Sequence, residues 1–157
     1  MSNTVRTLRP HDRNVAASLY AQCFDAPWER TWTAAEFTRL LESPGCFGAL
    51  LMTGDQPDGL ALARVAADEA EVLTIGVVPT ARRRGGATLL LSTLSRRCRR
   101  RGARHIFLEV AEDNLAARHL YEAHGFVIVG RRNNYFDRGP HGHVTALTMR
   151  RDFHGNR

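Results

Sequence analysis

Two residues past an apolar stretch ending in Val78-Pro79, the chain reads Arg82-Arg83-Arg84-Gly85-Gly86-Ala87-Thr88. Residue types in this order can hold an anion. Glycine permits close approaches and backbone conformations that a Cβ blocks. The first amides of a helix have no intrahelical partner, and the helix dipole makes them a phosphate site. Neighbouring arginines add charge-assisted bonds to phosphate oxygens. The segment matches neither G-x-G-x-x-G nor G-x-x-x-x-G-K-[ST], so the defining residues of dinucleotide and P-loop sites are missing. Taken alone, it also fits an arginine-rich surface loop with a glycine at a helix entry.

Three further residues stand out by type and setting. Glu109 lies between Leu108 and Val110 in an apolar strand, facing away from both. A carboxylate in such a strand needs a partner or a role. Tyr121 lies one turn past Ala117 on a helix that Asp113 or Asn114 can cap; a tyrosine there either fills the core or presents its hydroxyl. Asp68, Glu69 and Glu71 form an acidic cluster where a cation could dock, with Glu71, Leu73, Ile75 and Val77 expected on one strand face. Its plainer reading is a solvated strand end. Trp28, Trp32, Tyr135 and Phe136 can wall a substrate cleft or fill the core.

The elements that must position these groups follow from periodicity and punctuation. A strand is expected over 5–8, then a helix over 13–24 capped by Asp12 and broken at Pro27. Thr33 and Glu36 form a capping box for a helix through Leu41, ended by Pro44-Gly45. Strands are expected over 47–52 and 60–66, joined by the turn-rich 54–59, and over 71–78. A helix over 87–100 turns Leu90, Leu91, Leu94 and Cys98 inward, and a strand covers 105–110. The Asn114 helix runs through Leu120 with Gly125 as its stop, and late strands cover 126–129 and 144–149. A strand–helix–strand unit set among shorter strands implies an α/β (α+β) mixed sheet carrying helices.

Composition bounds the answer. A chain of 157 residues, with 43% apolar and 24% charged residues, is one globular domain in length and make-up, with no disordered, fibrous or disulfide-stapled signature. All 22 basic residues are arginine against 16 acidic ones, giving +6. That favours an anionic partner, which could be nucleic acid, membrane or a phosphorylated small molecule. Cys23, Cys46 and Cys98 are too few and too scattered for a disulfide or zinc framework, so no metal site is expected. Cys98 lies among arginines that could activate its thiol, although most cysteines simply fill space. The N-terminal residues lack the build of a signal peptide. The longest apolar stretch, 46–52, falls far short of a membrane span. A cytoplasmic protein without membrane partners is expected.

In order along the chain come Arg82-x-x-Gly85-x-Ala87, a strand ending in Leu108-Glu109-Val110, Asn114 five residues past that glutamate, then Asn114-x-x-Ala117-x-x-Leu120-Tyr121-x-x-x-Gly125-Phe126. This series resembles the GNAT superfamily of acyl-CoA-dependent N-acyltransferases. Within it the chain looks most like the ribosomal-protein-alanine N-acetyltransferase (RimI) branch, through Cys23-Phe24-Asp25-Ala26-Pro27-Trp28, Glu69-Ala70-Glu71 and Arg131-Arg132-Asn133-Asn134-Tyr135. The likeness covers about residues 4–151. It implies a mostly antiparallel sheet in which the strand of Ile75 and the strand of Glu109 splay apart. Acetyl-CoA would enter the gap as cosubstrate, its pantetheine pairing near Ile75-Gly76-Val77. Its pyrophosphate would rest on the segment from Arg82, Arg83, Arg84, Gly85, Gly86 and Ala87 to Thr88, with Gly86 adding flexibility. The resemblance further implies Glu109 as base, directly or through water, Tyr121 as acid, and Asn114 and Tyr121 against the cofactor. Glu71 is the rival base, because other branches carry their carboxylate on that strand.

The acceptor would be a protein N-terminus, including that of a ribosomal protein, or another amine. An α-amine has a reference pKa of about 7.7–8.0 and a Lys side chain about 10.4, a gap of roughly 3.4 kcal/mol in deprotonation. One carboxylate suits the α-amine better, and Lys side chains and small amines stay open as acceptors. Trp28, Glu71 and Tyr135 are the substrate-side candidates. In the branch, the region of Asn133-Asn134-Tyr135 lies beside the acceptor, and Asn134 stands where an aromatic is more usual. The remaining alternatives are a silent acyl-CoA-binding protein and a nucleic-acid module built on Arg96, Arg97 and 99–101. The second lacks interleaved aromatics and a helix-turn-helix, and cations favour a helix C-terminus for local reasons.

Overall fold

Leu60, Ala61, Leu62 and Ala63 are all fully buried. A strand covered on both faces is a continuous apolar run without alternation, and this run lies in the interior of the sheet, paired on both edges. In the computed structural model, which describes residues 2–153, the described elements are β1 (Asn3–Leu8), α1 (Arg13–Cys23), α2 (Ala34–Glu42), β2 (Cys46–Thr53), β3 (Gln56–Ala66), β4 (Glu69–Val77), α3 (Gly86–Arg100), β5 (His105–Ala111), α4 (Leu115–Ala123), β6 (Val127–Asp137) and β7 (His143–Asp152). The expected domain of 1–157 thus reaches, at both ends, residues outside those described. The strands form one sheet in the order β1-β2-β3-β4-β5-β7-β6. Every neighbouring pair is antiparallel except β4 with β5. The expected fold class is the one observed.

Helices cover both faces. Gly76 backs onto Cys23 and Phe24 at the end of α1, while its neighbour Val77 faces the start of α3. Successive strand residues point to opposite faces, so α1 and α3 do too. His124, just past α4, reaches Ser92 of α3, which puts α4 on the α3 side. The Thr33–Glu36 capping box forms as expected: Glu36 N–H donates to Thr33 Oγ1 and Thr33 N–H to Glu36 Oε1, both at 3.1 Å. Asp12 behaves differently. Its carboxylate does not cap α1; it accepts from both terminal nitrogens of Arg6 at 3.0 Å and, across the single turn over Pro10–Asp12, from Arg9 N–H at 2.9 Å. The Arg6 bonds hold the Asp12 carboxyl below its usual range.

Strand boundaries moved where pairing overrides residue type. The long turn expected over 54–59 contracts, because Pro57 enters β3 opposite Met52 at a register shift. A proline without an N–H is tolerated at such a bulge. The late strand expected over 126–129 runs instead to Asp137. Its residues are mostly exposed, which removes the alternation that marks a half-buried strand. Pairing with β7 extends it, and a second register shift, between Arg132 and Phe136, leaves Asn134 at a φ of 52°. A left-handed position tolerates asparagine and disfavours an aromatic, a physical reason for Asn134.

Candidate active site

The site begins with a failure of pairing. β4 and β5 pair only at Glu69 with His105, Ala70 with Ile106 and Glu71 with Phe107. On its other edge β4 pairs with β3 throughout, but the register jumps from Val72–Ala63 to Thr74–Leu62, so Leu73 is an extra residue. A bulge bends its strand and sharpens the local twist. Here it lies just past the last β4–β5 pair, and the two strands separate beyond it. The expected splay is present. A cleft of about 640 Å³ opens between residues 72–75 of β4 and 108–111 of β5. Unpaired edge backbone along β4 is a template for an added extended chain.

Glu109 and Tyr121 both line this cleft. Leu108 and Val110 point into the core, so Glu109 faces the opposite side, with its side chain 36% exposed and Arg132 Nε at 3.8 Å from Oε2. Tyr121 is 8% exposed and packs its ring against Phe126 at 5.9 Å. Burial pushes its phenol up to about 12, so it is a neutral O–H donor at every ordinary pH. Asn114 caps α4, its side-chain oxygen accepting from Ala117 N–H at 3.2 Å, and also lines the cleft. Capping uses one lone-pair direction of the amide and leaves its NH2 available.

The arginine–glycine segment forms the turn into α3. Arg83 has φ 66° and Gly85 φ 77°. Left-handed residues interleaved with others turn successive amides toward one concavity, an arrangement that receives anions. The first described bond into this turn runs from Leu89 N–H to Gly85 O, leaving the amides of Gly86, Ala87 and Thr88 without intrahelical acceptors. Gly86 has a reason other than flexibility. It is buried, and a Cβ there would lie 2.5 Å from Leu51 Cδ2. Arg82 turns inward: its guanidinium donates to Val77 O at 3.0 Å and Cys23 O at 3.4 Å, tying the turn to β4 and α1. Arg83 and Arg84 carry exposed side chains with no ion pair among the described residues.

Ile75 lines the cleft, Gly76 lies against the end of α1, and Val77 is buried toward α3. Glu71 is not brought into the cleft. It sits where β4 and β5 are still paired, 3.4 Å from Arg64, in a shallow groove with Glu69 and Phe107. Leu73, as the bulge, also breaks the single face expected for 71, 73, 75 and 77. Trp28 lines the cleft, with Arg138 over its ring at 4.6 Å and the His141 ring at 5.3 Å. Phe136 joins it in the lining. Tyr135 lies outside, half exposed beneath Arg132, and Trp32 stacks on Tyr20 at 4.7 Å.

Residue types had not singled out Arg138. It bonds Asp113 through both terminal nitrogens at 2.7 and 3.0 Å while covering Trp28, joining the β6–β7 tip to the β5–α4 turn and the segment after α1. That bond holds the Asp113 carboxyl below its usual range. No spacing rule marks such a residue in a Gly- and His-rich turn. Tyr20 and Phe24 also wall the cleft, and their i, i+4 spacing on α1 was the available signal.

Among the described residues no group of His, Cys, Asp and Glu could hold a metal ion, and no helix is long and apolar enough to cross a membrane. Cys98 is fully buried, and desolvation pushes its thiol up to about 12; Cys23 rises to about 11 for the same cause. An activated Cys98 is therefore excluded by its surroundings. At neutral pH a maleimide is expected to modify the partly exposed Cys46 well before Cys23 or Cys98, read by mass spectrometry of labelled peptides. Rapid labelling of Cys98 in the folded protein would contradict its burial.

Residues 14–126 match the family model described as acetyltransferase (GNAT) family. The chain is 32% identical over 148 residues to the [ribosomal protein bS18]-alanine N-acetyltransferase of Salmonella typhimurium, covering 94% of this chain and 95% of that one. It is 38% identical over 156 residues to the N-alpha-acetyltransferase RimI of Mycobacterium tuberculosis, covering 95% and 92%. Its fold is similar to the crystal structure of the ribosomal-protein-S18-alanine N-acetyltransferase from Escherichia coli, with a TM-score of 0.88 at 26% identity over 99% and 97% of the two chains.

Proposed function

This chain belongs to the acetyltransferase (GNAT) family and is an N-acetyltransferase with acetyl-CoA as cosubstrate, and from that premise we propose that its acceptor is the N-terminal α-amine of a protein, with Glu109 as base and Tyr121 as acid. The observation that carries this reading is the joint placement of Glu109 and Tyr121 in the cleft where β4 and β5 part. The amides of 86–88 and the side chains of Arg83 and Arg84 hold the pyrophosphate, with Arg82 and Gly86 shaping the turn that presents them. The free edge of β4 around Ile75 pairs with the pantetheine, and Asn114 offers its NH2 to the same chain.

Glu109 takes a proton from the incoming ammonium, directly or through one water. The freed amine attacks the thioester carbonyl carbon, a C–N bond forms, the C–S bond breaks, and the nitrogen gives up its surplus proton to solvent as the amide forms, as Glu109 then gives up its own. Tyr121 supplies its hydroxyl proton to the departing sulfur and is reprotonated from solvent. Because its phenol stays neutral up to about 12, it carries that proton whenever the sulfur leaves.

The α-amine acceptor follows from the lower pKa of such amines and from relatives named for acetylating an alanine of ribosomal protein bS18. Acetyl-CoA turnover against N-terminal peptides, Lys-containing blocked peptides and small amines tests it. The highest kcat/KM is expected for free N-terminal peptides, alanine-initiated ones among them. A preference for Lys side chains or small amines overturns the acceptor assignment and leaves the acetyltransferase activity standing.

Arg138 and Trp28 form the acceptor-side wall. Arg138→Ala removes the Asp113 bonds and uncovers the Trp28 ring together. It is expected to raise KM for the peptide about tenfold, as charge-assisted bonds of this kind imply, with KM for acetyl-CoA unchanged. Equal increases in both would place Arg138 in general folding.

A further inference from the structure

A second groove lies where the C-terminal half of α3 meets the end of α4 and the end of β7. Ser92, Ser95, Arg96 and Arg99 enter it from one side of α3, His124 from the end of α4, and Arg151 from β7. It shares no lining residue with the cleft. Along the helix, Arg96 is about 12 Å beyond Thr88 at the usual rise per residue. This groove is therefore separate from the phosphate-holding turn.

Its chemistry is one-sided. Three arginines line it and no carboxylate does. Neither Arg96 nor Arg151 makes an ion pair among the described residues. Ser95 is 2% exposed, and its Oγ is buried without a hydrogen-bond partner among the described residues. Buried hydroxyls are nearly always satisfied, so an orphan facing a basic groove marks a missing acceptor. His124 is held in place: Nδ1 lies 2.9 Å from Leu120 O and must carry the proton, while Nε2 lies 3.4 Å from Ser92 Oγ. Burial and the charges of Arg96, Arg101 and Arg100 depress the neighbouring Arg97 guanidinium, as expected where cations crowd.

We propose that this groove binds a phosphate group, with the Ser95 hydroxyl and the guanidinia of Arg96 and Arg151 donating to its oxygens. Arginine forks match phosphate geometry, and a hydroxyl completes the donor set. The shared chemistry is the phosphate oxygen, whether carried by a mononucleotide or by the backbone of single-stranded RNA.

The test is a titration of the full chain, saturated with coenzyme A to fill the cleft, followed by amide NMR shifts. Inorganic phosphate, AMP and a short single-stranded RNA are the probes. Saturable shifts are expected at 92–99, 124 and 151, and Arg96→Gln and Arg151→Gln should each weaken phosphate binding about tenfold. Ser95→Ala should also weaken it, and acetyl transfer should be unchanged in all three variants. Tighter binding of AMP than of RNA identifies a mononucleotide, and the reverse identifies RNA. No saturable shift in the groove, shifts confined to 83–88, or unaltered affinity in the variants overturns the proposal. A melting curve for each variant separates lost binding from lost folding.

Discussion

Glu109→Gln is expected to lower kcat by roughly 10²–10⁴-fold, the usual contribution of a positioned general base, with acetyl-CoA affinity unchanged. Glutamine keeps the shape of the side chain and its place in the cleft but cannot take a proton. The ground for the size of the effect is positional. Past Phe107 the two strands have separated, so Glu109 is the β5 carboxylate within the cleft, and Leu108 and Val110 anchor the strand on its other face. Steady-state kinetics for both substrates, with an acetyl-CoA thermal shift as binding control, read the outcome. Near-normal kcat in Glu109→Gln would pass the proton to water or to Glu71. Glu71→Gln is expected to stay close to wild type, since its carboxylate pairs with Arg64 outside the cleft.

Tyr121→Phe is expected to lower kcat by roughly 10²-fold or more, by loss of the acid proposed for the leaving sulfur. The ring keeps its packing against Phe126, so folding and acetyl-CoA affinity should hold. An unchanged rate would return Tyr121 to a packing role. The same substitution carries a stability signature. Burial raises the Tyr121 phenol from 10.0 to about 12, so the folded state disfavours its anion. Below pH 10 the group is neutral in both folded and unfolded chains, and its contribution is fully present. As pH rises from 10 toward about 12, the unfolded chain loses its proton first and stability falls. Tyr20 is raised to about 12 in the same way, chiefly by burial. Melting temperatures across this alkaline window should therefore fall less steeply in Tyr121→Phe than in wild type, without becoming flat. Identical slopes would mean that the phenol is not desolvated in the fold.

The readable parts of the chain were those where one local rule acts alone. The Thr33 capping box, the inward Leu90–Leu94–Cys98 stripe of α3 and the apolar strand around Glu109 each follow from spacing within a few residues. Periodicity makes β6 shorter than it is, because its residues past Gly130 are largely exposed and β7 holds them extended. Position marks Asp12 as the cap of α1, but its carboxylate pairs with Arg6 of the preceding strand and with Arg9 N–H instead. Its motif slot makes Gly86 look merely flexible, yet Leu51, 35 positions away, leaves no room for a Cβ.

The site divides along the same line. Order and spacing of the arginine–glycine turn, Glu109, Asn114 and Tyr121 were enough to determine the family-level chemistry, because each motif is a short segment whose backbone geometry is set locally. Which carboxylate faces the cleft was decided by tertiary structure. Glu71 and Glu109 lie on adjacent strands, and only the bulge at Leu73 and the end of β4–β5 pairing at Glu71 separate them into a closed and an open region. The division of the arginines was decided there as well: Arg82 turns in to backbone carbonyls, Arg83 and Arg84 face solvent, and Arg138 closes on Asp113 over Trp28. Residue type supplies a guanidinium's charge and reach. Its partner is set by which distant segments the sheet and its bulges bring within hydrogen-bond distance, and that is a property of the assembled fold alone.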